Sequence, residues 1–213
     1  MKLHVIVLLL SIFYFSEIRS RPISYPGGWT IMHKNELQLH SINFHYSPSH
    51  KYSVGYISEY LDKKNYFFNG IKTNYLLKRI NTKNSQSNIY LKNSLGTSYS
   101  NYKEFNEKLQ FSYTSGIALD WETRRYFTMY ENRYSDSGEI GHLFHQKLKI
   151  GIAPYLGNYG DLHTWAMIQL DHTPNSNYVY SITPMLRFFK DTTLFEIGIN
   201  TKLKPLINLT IRF

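Results

Sequence analysis

Cysteine is absent from this 213-residue chain. That excludes a disulfide framework, a thiolate nucleophile and any cysteine-ligated zinc or iron–sulfur centre. Beyond residue 20 no apolar run approaches the ~20 residues a spanning helix needs, which excludes a helix-based membrane protein. No segment carries helical spacing with caps, and there is no internal repeat, low-complexity tract or domain boundary. Basic residues outnumber acidic ones 24 to 15, for a formal +9, yet they form no cluster. A nucleic-acid partner is therefore not expected. The nine histidines hold no metal-binding spacing: His142 and His145 are three apart and face opposite ways on a strand, and no H-E-x-x-H or i, i+2 pair occurs. No metal and no cofactor is expected. What the chain does have is aromatics, with 19 Tyr, 13 Phe and 3 Trp, far from the composition of a disordered segment.

The first twenty residues read as an address. Lys2 and His4 precede the apolar stretch Val5 to Leu10. Ser11 alone interrupts it before Ile12, Phe13, Tyr14 and Phe15, and Ser16 to Ser20 form a small and polar exit. This is the layout of a secretory signal peptide. The apolar run is too short for a membrane anchor. Ile18 and Ser20 fall at the two positions that mark cleavage, so the expected division is a signal peptide at 1–20 and a single domain at 21–213.

Within that domain the pattern has period two. In Leu109 to Trp121 the odd positions are Leu109, Phe111, Tyr113, Ser115, Ile117, Leu119 and Trp121; the even ones are Gln110, Ser112, Thr114, Gly116, Ala118 and Asp120. Alternate side chains of a strand face opposite ways, so this strand has one greasy face and one polar or small face. Its length also exceeds the usual 5–6 residues of soluble strands and suits the ~9–11 of a tilted membrane strand. The alternation recurs at 52–60, 89–96, 178–188 and 207–213. In 162–171 both faces carry apolar residues.

Stretches rich in Gly, Pro, Asn, Asp and Ser separate these runs. They predict strands near 28–34, 38–47, 51–60, 66–78, 88–98, 108–121, 124–134, 142–154, 162–171, 178–189, 193–201 and 206–213. The count is twelve, with ten as the alternative, and it rests on splitting 28–47 into a hairpin at Lys34-Asn35-Glu36-Leu37. Pro184 removes a ladder donor in mid-strand, which predicts a bulge near 183–185.

Long alternating strands suit either a soluble sandwich, apolar inside, or a transmembrane barrel, apolar outside. Aromatics near strand ends (Tyr52, Tyr60, Tyr66, Phe67, Phe68, Trp121, Tyr126, Tyr134, Tyr178, Phe188, Phe189) favour the barrel, whose interfaces carry aromatic girdles. A closed barrel also satisfies every backbone polar group without water.

The last strand adds a resemblance. Ile207, Leu209, Ile211 and Phe213 alternate with Asn208, Thr210 and Arg212, and the chain ends in Phe. This resembles the terminal strand of bacterial outer-membrane β-barrel proteins, which the barrel-assembly machinery reads. The segments at 25–29, 120–126 and 160–165 are similar to those of an uncharacterised group of small proteobacterial outer-membrane barrels. The resemblance implies an all-β, closed, antiparallel up-and-down transmembrane barrel in the outer membrane. Its partners would be outer-membrane lipids and the assembly machinery. It implies no activity.

Alternation puts Asp120, Arg125, Glu131 and Arg133 on one side, as lumen charges that either tune ion passage or fill a narrow barrel with salt bridges. Phe127 and Met129 share that side and favour a filled interior. The one catalytic candidate is His163, with Thr164 beside it, Asp161 two before, and Ser112 or Ser181 as nucleophiles a neighbouring strand could bring to it. The expected role is a structural or narrow-pore barrel without catalysis. The alternatives are an outer-membrane lipid-modifying hydrolase or acyltransferase, and a soluble periplasmic β-sandwich. With strand one entering from the periplasm, connections near 47–50, 79–87, 122–123, 155–161 and 190–192 face the periplasm, and no outward loop exceeds about ten residues.

Overall fold

A computed structural model describes residues 23–62, 65–105, 108–158, 160–174, 176 and 179–213. The leader read at 1–20 lies outside these residues. Twelve strands follow in chain order: β1 (Gly28–Glu36), β2 (Leu39–Ser47), β3 (Tyr52–Leu61), β4 (Tyr66–Asn81), β5 (Ser85–Ser100), β6 (Gln110–Thr123), β7 (Tyr126–Asp136), β8 (His142–Ile152), β9 (His163–His172), β10 (Tyr180–Lys190), β11 (Thr193–Ile199) and β12 (Pro205–Arg212). Each pairs antiparallel with its chain neighbours. β12 closes on β1, from Thr30↔Arg212 to Asn35↔Ile207. Two short 3-10 turns, Lys103–Phe105 and Gly138–Ile140, lie between strands.

Closure needs stagger. The row that starts at Tyr66 on β4 passes Leu61, Leu39 and Glu36, next to Asn35↔Ile207, the last pair of the β1–β12 seam, and is taken up on β12 by Leu206, next to Ile207. It continues through Gly198, Met185, Met167, Gly151, Phe127, Glu122 and Gln86. It returns to β4 at Asn81, the far end of the strand from which it set out. That offset is what tilts the strands of a closed barrel.

The period-two pattern has become an inside and an outside. On β6, Phe111 is 65% exposed and Ile117 and Leu119 each 40%, while Ser112 and Ala118 are buried. Ile42, Ile71, Leu95, Ile150, Ile168 and Ile182 also point out. Thr30, Asn43, Asn74, Asn88, Gln169 and Thr210 are buried inside. A soluble sandwich would have its apolar face in the core. Here the apolar face is the outer one.

Aromatics ring the outer wall at two levels. At the end away from the termini run His40–Tyr60–Phe67–Tyr99 and Tyr113–Tyr134–His142. At the end bearing the termini, Trp29 stacks on Phe44 and touches Tyr46. Tyr52 and Tyr60, at opposite ends of β3, are about 26 Å apart along the strand at ~3.3 Å per residue, which matches an apolar band with a girdle at each interface. Three of the aromatics read as girdle residues are not on the outer wall: one is Phe189, which shares the inward parity of Met185 and Arg187 on β10. Tyr66 and Phe68 face inward and pack with Ile57, Leu61, Phe105 and Ile140. Tyr178 lies outside the described residues.

Two local expectations are corrected. The first hairpin turns at Leu37–Gln38, not across 34–37, because Asn35 and Glu36 are still paired, with His40 and Leu39. Turn-like residue types were serving the ladder and the lumen. Pro184 makes no bulge: the β9–β10 register runs unbroken through Pro184↔Ile168, and the β10–β11 ladder begins only at Met185↔Gly198. The proline sits where the strand is not yet paired on that side, so no donor is missed. The irregularity lies instead on β4, between Leu76 and Lys78. β9, apolar on both faces in sequence, turns Ile168 and Leu170 outward. Its inward Met167 and Trp165 pack in a lumen cluster with Phe127, Met185 and Leu206.

Candidate functional site

The lumen is filled by charge in pairs. Arg133 on β7 holds Glu59 on β3 with both guanidinium Nη groups. Lys147 on β8 is ion-paired with Glu36 on β1. Lys149, one inward position further along β8, meets Glu196 on β11 at 2.8 Å, and Arg187 on β10 holds the other Glu196 oxygen at 2.6 Å. Asn208 on β12 donates to Glu36 at 3.0 Å and to Glu196 at 2.8 Å, tying two of these pairs together. Lys92 on β5 meets Glu131 on β7 at 2.6 Å. Arg133–Glu59 and Lys147–Glu36 join strands well separated around the wall, so they span the lumen.

The physical cause is parity plus confinement. Each of these residues occupies an inward position of its strand. A charge taken out of water is expensive unless paired and hydrogen-bonded. Long Lys and Arg stems can cross the space and short ones cannot. Where the packing leaves room, a cavity of about 50 Å³ is lined by Lys34, Lys72, Lys92, Arg133 and Lys147 against Glu36, Glu59 and Glu131. Its lining therefore has more cations than carboxylates.

The residues singled out from sequence are distributed as follows. Glu131 and Arg133 stand in this network. Asp120 lines the lumen further along and accepts a hydrogen bond from Asn88 at 2.6 Å, with Arg79 donating to the same Asn88. Arg125 is not with them. The β6–β7 hairpin turns at 124–125, and Arg125 is exposed there, its backbone N–H donating to Thr123 Oγ1. Strand parity does not extend into a turn. His163 opens β9 opposite Phe189, whereas Ser181 pairs with Asp171 at the other end of that strand. That separation is about 26 Å at ~3.3 Å per residue. Ser112, three strands away on β6 and near the opposite end of the barrel, hydrogen-bonds Ser98. Neither serine reaches His163. Thr164 bonds Tyr155 instead. Ile207, Leu209, Ile211 and Phe213 line up on the outer face of β12. The backbone of Phe213 exchanges two hydrogen bonds with Trp29, at 2.7 and 3.0 Å.

A second feature had no signal in the sequence. At the end away from the termini, above the ion pairs, a cavity of about 400 Å³ opens between the β1–β2 turn, the start of β4 and the β7–β8 connection. Arg133, His145 and Asp171 form its floor. His145 Nε2 lies 2.9 Å from Asp171, whose other oxygen accepts from Gln169. Its lining residues are scattered from 36 to 173, and no local pattern could have gathered them.

Apolar wall outward, charged lumen inward and full closure define a barrel of the outer-membrane type. No family model matches this chain, and no curated protein sequence matches it. Two solved structures show a distant likeness to it. One, from work entitled "Unveiling the Mechanism Behind the in-meso Crystallization of Membrane Proteins", is 10% identical, with 88% of this chain and 83% of that one covered and a TM-score of 0.44. Another, LpxR from Salmonella typhimurium, is 8% identical over 87% of this chain and 99% of its own, with a TM-score of 0.42. At identities and scores this low, neither likeness bears on activity.

Proposed function

We propose that the chain is an outer-membrane β-barrel whose lumen is closed at rest by ion pairs, giving it a structural or narrow-pore role. On this reading residues 1–20 are a cleaved export leader, and the assembly machinery takes up the Ile207, Leu209, Ile211 and Phe213 face. The exposed apolar wall supports residence in lipid, because isoleucines and phenylalanines this open to solvent, all around one surface, would be a severe aggregation liability in water. With both termini on the periplasmic side, the mouth cavity faces outward.

One observation carries the closed state: Arg133–Glu59 and Lys147–Glu36 cross the lumen from wall to wall. A water-filled porin leaves that space open. What room remains is small and richer in cations than in carboxylates, so residual passage favours anions.

The test is conductance of the purified, refolded barrel in planar bilayers. The expected record is quiet, or shows small anion-preferring steps that grow in a Glu36→Ala/Lys147→Ala double variant. Large, weakly selective steps from the unaltered protein would overturn the closed lumen. Fractionation tests location: release by osmotic shock without detergent, with no heat-modifiable gel mobility, would overturn membrane residence.

A further inference from the structure

The mouth cavity has walls and a floor of opposite character. Leu37, Leu39, Leu61, Tyr66, Ile140 and Leu143 make the walls. Leu61, Tyr66 and Ile140 belong to a buried apolar cluster, and Leu39 and Leu143 pack against it. The space, about 400 Å³, is in the range of small-molecule pockets and far larger than the voids a packed interior tolerates.

The floor holds an unspent donor. Both Nη groups of Arg133 are committed to Glu59, but its Nε–H is buried and meets no acceptor. A buried donor without a partner destabilises the fold, a penalty that an arriving acceptor removes. The neighbouring acid, Asp171, is already engaged by His145 and Gln169. Arg133 lines the cavity and keeps this one uncommitted donor, whereas the adjacent carboxylate is already engaged.

The rim is strained. Leu37 sits in the left-handed region, with φ of 35°, where glycine or asparagine would be at ease and leucine is not. The chain gives up stability at this position and gains an apolar side chain over the cavity.

We propose that this cavity binds a single-chain amphiphile of the medium-chain fatty-acid class. The acyl chain lies against Leu37, Leu39, Leu61 and Leu143. The head sits at the floor, a carboxylate oxygen accepting from Arg133 Nε. Neither part alone accounts for the site: a purely polar ligand would waste the walls, and a hydrocarbon would leave the donor unmet.

The experiment uses the full-length mature barrel in lipid nanodiscs, with empty nanodiscs subtracted, and dansyl-undecanoate fluorescence as the readout. The expected result is saturable one-to-one binding, displaced by decanoate and at least about tenfold less well by decyltrimethylammonium, whose head accepts no hydrogen bond. Leu143→Trp, which fills the cavity, should abolish the saturable signal; Leu119→Ala, on the outer wall, should leave it intact. If Leu143→Trp lacks heat-modifiable mobility and so has not folded, Leu39→Phe takes its place. Partitioning equal to that of empty nanodiscs, unaltered binding in the filled variant, or equal displacement by the cationic amphiphile would each overturn the proposal.

Discussion

Arg133 on β7 and Glu59 on β3 face each other across the lumen, the arginine Nη1 donating to the glutamate at 2.8 Å and Nη2 to the second oxygen. Three strands of wall separate them on the shorter path. The Glu59 side chain is 3% exposed and that of Arg133 19%. The pair acts as a strut, and its worth depends on both ends being present.

Glu59→Ala should therefore destabilise the barrel by about 3–5 kcal/mol, because it strands a buried guanidinium. Glu59→Ala/Arg133→Leu should lose less than Glu59→Ala alone. Urea titration in liposomes, read by heat-modifiable mobility, measures both. A double variant worse than the single one would show that the pair is not the unit that matters.

The outer wall makes an independent prediction. Leu119→Arg, on the exposed apolar face, should cost about 2–4 kcal/mol if it faces the bilayer midplane. Ala118→Ser, the adjacent inward position, should cost less: it packs beside Ile23 and Leu76, but both of its cross-strand partners, Tyr90 and Glu131, carry polar atoms. Equilibrium folding into liposomes compares them. If water rather than lipid bathes Leu119, the arginine will be harmless and the membrane reading falls.

Deleting Phe213 removes two backbone hydrogen bonds that fasten the chain end to Trp29. The folded, heat-modifiable fraction in membranes should drop while the amount synthesised does not change. An Ile211→Asp variant, altering the lipid-side pattern of β12, should fail in the same way. Normal accumulation of both would separate this strand from the assembly step.

Relieving the rim strain should trade stability against binding. Leu37→Asn places a residue tolerant of the left-handed region at the turn and should gain up to about 1 kcal/mol. It should weaken dansyl-undecanoate binding, because one apolar wall is lost. Stability and affinity are measured on the same preparation, and movement of both in one direction would contradict the account of the turn.

The sequence carried the wall plainly, and the reason is physical. A strand facing lipid on one side and a confined polar space on the other must alternate, and β6 does so along its length. Parity says that Glu131 and Arg133 share a face. It cannot say that one meets Lys92 and the other Glu59, since those partners are set by strand tilt and side-chain reach. Turn chemistry misled at Asn35–Glu36, where Asn35 is a paired ladder position on the outer side and Glu36 points into the lumen, and at Pro184, whose cost vanishes where the neighbouring ladder has not begun. The mouth cavity was illegible because Leu39, Tyr66, Ile140 and Leu143 are neighbours only after closure.

The wall is uneven in height. β4 and β5 have 16 residues each, whereas β11 has seven and β12 eight. At ~3.3 Å per residue, β11 reaches about 23 Å along its own axis and less along the normal. A bilayer meeting that low sector must pinch inward or the whole cylinder must lean, at a cost of fractions of a kcal/mol per ångström of mismatch. In the outer membrane proposed above, the tall sector would carry its rim clear of the hydrocarbon, and the strain on the lipid would fall on one flank and not the other.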